Sequence, residues 1–195
     1  MTEDDHLMIR LQEGETSAFE EIVRKYQAPL IGFFFRNTRD RQLAEDLSQE
    51  TLLKVYHVSW DYLPTGKFRG WMYRIARNLM IDNIRRRSHD ALIHAETDNR
   101  EDEQTFSRIV GEIVPPDAHA DQREVTCLVE EFLEQLPEEQ RLTFTLHHFA
   151  DFRLSEVAEI MECELATAKS RLRLAREKLR DKLQTKGITS AYLED

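Results

Sequence analysis

A chain of 195 residues is long enough for one or two helical domains and too short for a large enzyme. Thirty-three per cent of it is charged, and only 5 Pro and 6 Gly are present, a balance that favours helices over an all-β fold. The net charge of −10 opposes free, nonspecific DNA binding, because phosphates repel such a body at long range. In chain order, the first helix is predicted from about Asp4 to Gln12 and stops at Gly14. Thr16 or Ser17 can cap the next, which buries Phe19, Ile22, Val23 and Tyr26. Pro29 then starts a third segment, in which Phe33, Phe34 and Phe35 read as core.

Asp40 is an acceptor of the kind that caps a helix, and the period of DRQLAEDLSQETLLKVY puts Leu43, Ala44, Leu47, Thr51 and Val55 on one inward face. Asp46, Gln49, Glu50 and Leu53 form a second stripe at i, i+3, i+4, i+7. Two carboxylates and an amide around one leucine suit docking onto a basic partner. For this helix alone, a solvated charged face is the simpler reading.

Both tryptophans lie in the next stretch, where Trp60, Tyr62, Phe68, Trp71 and Tyr73 surround the turn signal Pro64-Thr65-Gly66. A helix follows, buried through Met72, Ile75, Ala76 and Leu79, with Arg74, Arg77, Asn78, Ile81 and Arg85 on the other side. Asp82 reads as structural, near the buried side. From Gly66 to Ser88 there are seven Lys/Arg against one acid, a net of +6 in an acidic chain. Rings to stack on and cations for phosphates are what unstacked bases need. The competing reading, aromatics as plain core, applies in part to Phe68 and Trp71.

From Ser88 to Glu124, ten acids face three arginines around Pro115-Pro116, which reads as a linker. A helix from Arg123 to about Gln135 carries Val125, Leu128, Val129, Phe132 and Leu133 on one side. Pro137 opens another, bearing Leu142, Phe144, Leu146 and Phe149. His147 and His148 lack further ligands at metal spacing and read as ordinary helix residues. Val157, Ala158 and Met161 then make a short helix, Glu162-Cys163-Glu164 a tight connection, and Ala168, Leu172, Ala175 and Leu179 the buried side of a second helix. That arrangement is a helix-turn-helix. From Leu165 to Lys182, seven cations oppose two acids. A recognition helix puts its N-terminal residues at base edges and its cations on phosphates, which nominates Thr167, Lys169, Ser170 and Arg171, with Arg173 and Arg176 behind them.

Cys127 and Cys163 give neither a disulfide framework nor zinc spacing, so a reducing cytoplasm is expected. The acidic start, Glu3-Asp4-Asp5, is unlike a signal peptide, and the longest apolar run, 30–35, cannot span a bilayer, so no direct membrane insertion is expected.

The segments DLSQETLLKVY and FRGWMYRIARNLMIDNIRRR resemble region 2 of bacterial sigma factors of the extracytoplasmic function (ECF) group. RLQEGETSAFEEIVRKYQAPL extends the likeness upstream. LEQLPEEQRLTFTLHHF and LSEVAEIMECELATAKSRLRLAREKLRDKL resemble region 4. The resemblance implies an all-α fold of two small helical domains: region 2 at 1–88, an acidic linker at 89–123, region 4 at 124–186, and a tail at 187–195. It implies that Asp46, Gln49, Glu50 and Leu53 bind the clamp helices of the largest subunit of core RNA polymerase. The polymerase flap, promoter DNA and an anti-sigma factor are implied as further partners.

Trp60 to Phe68 would shape the loop that captures a flipped base of the minus-ten element, with Lys67 within it and Trp71 and Tyr73 nearby. Arg74, Arg77, Asn78, Asn83 and Arg85 would contact the opened strand, and the second helix of region 4 would read the minus-thirty-five element. The linker would thread the polymerase near its active-site and RNA-exit channels. No cofactor, metal or enzymatic role is implied. Four positions depart from the family: Glu162 and Ala166 stand for glycine, Glu164 for proline and Arg153 for serine. Two rival readings are an autonomous helix-turn-helix regulator that binds duplex DNA without polymerase, and a nucleic-acid-processing or metal enzyme. Acidity, the long linker and the aromatic segment oppose the first, and the missing phosphate loop, metal cluster and nucleophile–base pair oppose the second.

Overall fold

The chain enters its first helix on a reciprocal cap. Thr2 Oγ1 accepts from the Asp5 N–H at 3.3 Å, and the Asp5 carboxylate accepts from the Thr2 N–H at 2.7 Å, satisfying groups that a helix start leaves orphaned. The computed structural model describes residues 1–93 and 128–185. Helix α1 (Glu3–Gln12) ends before Gly14, whose φ of +91° suits a residue without Cβ. Asp4 then ties α1 to α2 (Thr16–Thr38), accepting from Tyr26 Oη at 2.7 Å and Lys25 Nζ at 2.6 Å.

Pro29 does not open a new segment, as the sequence suggested; α2 is one helix of 23 residues with Pro29 inside it. Pro29 is exposed, so the carbonyl its ring leaves unbonded lies where water reaches it, while Ile22, Tyr26, Leu30 and Phe34 keep an unbroken buried stripe. Arg39 closes α2 at a φ of +57°, and Asp40 caps α3 (Arg41–His57) by accepting from the Leu43 N–H at 2.9 Å. A 3-10 turn (Ser59–Asp61) and Gly66 lead into α4 (Phe68–Ile93). Helix α4 therefore runs past residue 88; residues 94–127 and 186–195, which hold most of the expected linker and the tail, lie outside the described residues.

The second unit starts with a helical stretch, α5, over 128–133. Pro137 caps α6 (Glu138–His148), and α7 (Leu154–Ile160) and α8 (Leu165–Thr185) complete it. Helix α6 has two apolar faces. Phe144 looks toward Val129, Leu133, Leu172 and Leu179 in the core of the second unit. Leu142 and Leu146 instead join Phe33, Phe34, Tyr73 and Met80 in a cluster that runs through the first unit and takes in Phe152, Val157, Ile160 and Met161. The fold is all-α, and its two helical units are docked on each other.

The turn of the helix-turn-helix adopts the backbone that a glycine would favour, but with Glu162 at a φ of +52°. A side chain in this left-handed region costs about 1 kcal/mol, partly offset because glycine loses more freedom on folding. Glu162→Gly is therefore expected to exceed Glu162→Ala in stability by about 0.5–1 kcal/mol, read from paired denaturant melts. Equal stabilities would show that the turn relaxes around either residue.

Candidate functional site

The outward stripe of α3 is fully presented. Asp46, Gln49 and Glu50 are exposed, Leu53 retains 53% of its surface, and among the described residues Asp46 makes an i,i+4 contact, accepting from Gln42 Nε2 at 3.1 Å. Beneath it, Leu43, Ala44, Leu47, Thr51 and Val55 are buried, as their period predicted. Leu53 thus stands among carboxylates on the solvent side of a helix whose opposite face is buried.

Beyond α3, the loop into α4 lifts two apolar side chains away from the body, Trp60 at 76% exposure and Leu63 at 73%. Its backbone is tied down from behind. Gln12 Nε2 donates to the carbonyls of Ser59 (2.8 Å) and Tyr62 (2.9 Å), and Tyr62 Oη donates to Asp5 Oδ1 at 2.5 Å. Burial of Asp5 disfavours its charge, but hydrogen bonds from Tyr62 and Thr2, with help from the Gly66 N–H, outweigh it and hold the carboxyl below its usual value. Gly66, at a φ of +80°, passes over the α1 cap; a Cβ there would lie 3.9 Å from Asp5 Oδ2 and from Thr2 Cγ2.

On α4, Arg74, Asn78 and Arg85 are exposed and Asn83 is half-buried. Phe68 and Tyr73 need correcting: they are 1% and 2% exposed, because they fall on the buried side of α4 with Met72 and Ala76. Half-buried Trp71 packs on Tyr62 at 5.0 Å, so it backs the loop instead of facing solvent. Asp82 is exposed, not on the buried side.

In the second unit, Thr167, Lys169 and Ser170 stand exposed at the start of α8. Arg171 is half-buried and pairs with Glu139 of α6 at 2.7 Å, Arg173 pairs with Glu177 at 2.6 Å, and Arg176 Nε donates to His148 Nε2 at 3.2 Å. The residues best placed for a groove are thus the first three, with the arginines engaged alongside.

Two family models match the chain: sigma-70 region 2 over residues 22–89, and sigma-70 region 4 over residues 128–179. The RNA polymerase sigma-H factor of Pseudomonas aeruginosa is 31% identical over 187 residues, covering 93% of this chain and 94% of that protein. The ECF RNA polymerase sigma factor SigW of Bacillus subtilis is 30% identical over 175 residues, covering 90% and 94%. The chain belongs to the ECF group of the sigma-70 family.

Solved structures give the same fold. The sigma factor RpoE in complex with the anti-sigma factor NepR from Bartonella quintana matches with a TM-score of 0.70 at 21% identity, over 85% of this chain and 96% of that one. CnrH in complex with the cytosolic domain of CnrY matches at 0.63 and 20%, over 93% and 97%. As a sigma factor, the protein works with RNA polymerase. No helix among the described residues is long and apolar enough to cross a membrane.

Sequence reasoning missed how this sigma factor joins its regions. Arg36 Nε reaches Glu130 Oε1 at 2.9 Å with both side chains buried, and its guanidinium lies 4.2 Å from the Phe149 ring centre. Asn37 Nδ2 donates to Thr145 Oγ1 at 3.1 Å. Arg69 donates to the Ala150 carbonyl at 2.6 Å and stacks on Phe152, while Tyr73 meets Phe33 on one side and Phe152 on the other. Burial pushes the Tyr73 phenol up to about 12. Two candidate strand-binding cations are engaged across the same seam: Lys67 pairs with Glu159 at 2.9 Å, and Arg77 with Glu162 at 3.4 Å. The available signal was the polar pair Arg36-Asn37 directly after a run of three phenylalanines, where a helix continues inward with groups that need partners.

Proposed function

We propose that this sigma factor binds the clamp helices of core RNA polymerase through Asp46, Gln49, Glu50 and Leu53, and captures an unpaired minus-ten base at the loop bearing Trp60. Arg74, Arg77, Asn78, Asn83 and Arg85 then follow the opened strand, and Thr167, Lys169, Ser170 and Arg171 enter the major groove of the minus-thirty-five element, with Arg173 and Arg176 on its phosphates. The observation that supports this most directly is the pairing of a solvent-facing acidic stripe on α3 with a loop that holds an indole 76% exposed, next to a basic helix. An exposed ring offers a base a face to stack on, and such stacking contributes about 1–3 kcal/mol. Opening is a matter of binding: stacking and phosphate contacts offset unpairing, and the factor makes or breaks no covalent bond. It acts in the cytoplasm, and the exposed α3 stripe is also the natural target of an anti-sigma factor.

The test is transcription by core polymerase on genomic fragments, with and without the protein, and sequencing of transcript starts. Starts that need both components support the reading and give both promoter elements. A protein that ignores core polymerase yet binds duplex DNA would be an autonomous regulator. Arg171→Ala is expected to weaken binding to the upstream element by about 1–3 kcal/mol, measured on intact and base-substituted elements. Unchanged promoter selectivity would limit Arg171 to its pairing with Glu139.

A further inference from the structure

The loop from Ser59 to Gly66 has no sheet or long helix of its own, yet it carries the two most exposed large apolar side chains beyond Met1 among the described residues. Its own backbone bonds are few: Tyr62 N–H to the Ser59 carbonyl at 3.0 Å, Asp61 N–H to Val58 at 3.2 Å, and Thr65 N–H to Leu63 at 2.8 Å. Ser59 Oγ also donates to the Tyr56 carbonyl of α3 at 2.8 Å, and further hydrogen bonds come from α1, more than forty positions earlier in the chain. Gln12 spans the 3-10 turn by binding the carbonyls at both its ends, Asp5 takes the hydroxyl of Tyr62, and the Thr2–Asp5 cap lies directly under Gly66. Trp60 and Leu63 stand between these ties, and the ring of Tyr62 points inward onto Phe68 and Trp71. Neither polar residue of α1 is placed to face a base or a phosphate: Asp5 is fully buried, and both amide donors of Gln12 are taken up by the loop.

We propose that Asp5 and Gln12 are positioning residues for strand opening, holding the Ser59–Gly66 loop in its base-accepting form before any DNA arrives. The inference rests on the reading of this loop as the base-capture element. A loop that samples many forms binds with an affinity reduced by the fraction of time it spends in the competent one, whereas a loop tied at both ends and its middle is already there. Helix α1 lies outside the matched region 2 segment, so its part in opening would be indirect and local.

The test uses the full chain and promoters mapped as above, with Gln12→Ala, which removes an exposed side chain, and Tyr62→Phe, which keeps the ring but not its bond to Asp5. Three readouts are taken: hydrogen exchange of the 59–66 amides, affinity for core polymerase, and the rate of promoter opening on duplex against pre-opened templates. The expected result is exchange of the loop faster by about tenfold or more, unchanged core affinity and unchanged protection in α2 and α3, and opening on duplex slowed by about tenfold. Pre-opened templates should recover part of the loss.

Unchanged loop exchange in both variants would overturn the proposal, and so would faster exchange with normal opening. A loss of core affinity in step with opening would also overturn it, since the effect would then be general. Wild-type protein that opens no promoter with core polymerase would overturn the base-capture reading itself, and would do so before any variant is made.

Discussion

Asp46→Arg is expected to abolish binding to core polymerase and leave the fold unchanged. The side chain is exposed, and its one described contact is an i,i+4 hydrogen bond from Gln42, worth a few tenths of a kcal/mol. Stability should therefore move by less than about 0.5 kcal/mol. At the proposed interface the change is larger, because a cation replaces a carboxylate opposite a basic partner and leaves two mismatched groups to desolvate. A central charge reversal of this kind removes about 3 kcal/mol or more, a hundredfold or greater loss of affinity, measured by competition for core polymerase. Normal binding by a folded variant would remove α3 from the interface, whatever the rest of the chain does.

Arg36→Ala is expected to give the largest effect on the isolated protein. Removing one member of a buried ion pair leaves the other charge in a dry environment, a loss of about 3–5 kcal/mol if nothing moves. Here Glu130 has a way out, because parting the two units returns it to water. The loss is thus limited by the strength of the docking itself, and it should appear as expansion in small-angle scattering before cooperative unfolding. Arg36→Met combined with Glu130→Met removes both charges at similar volume and should recover most of the compact state. Dimensions and stability unchanged in Arg36→Ala would mean that the apolar cluster around Leu142, Leu146 and Phe152 holds the units without help from the pair.

Local features were the legible part of this chain. The cap at Asp40, the inward face of α3 and the buried side of α8 follow from side-chain period and hydrogen-bonding type, which act over one or two turns. On α4 the same period separates buried Met72 and Ala76 from exposed Arg74, Asn78 and Arg85, but Tyr73 was nominated for its aromatic type and not its helical position; it lies about 100° around the helix from Arg74 and is buried. Pro29 misled because its effect on a helix depends on which side meets water, a tertiary fact. The docking of the units was beyond reach: Arg36 and Glu130 are 94 positions apart, and Asn37 and Thr145 are 108 apart. A pattern can say that a face is covered, but not by what. Gln12 was invisible for the same reason, since nothing in RLQEGE announces two carbonyls nearly fifty residues downstream.

The seam between the units also leaves some surfaces open and engages others. The α3 stripe is open to solvent while the units are docked, so a partner that uses it can attach without moving anything. Lys67 and Arg77 are different: each is paired with a carboxylate of the second unit, Glu159 or Glu162, with which a phosphate would compete. Tyr73 and Arg69 are engaged in the same seam. On the proposed roles, protein contact through α3 is available while the units are docked, and nucleic-acid contact through the head of α4 competes with the seam. A molecule built this way can wait on its partner without first committing to DNA.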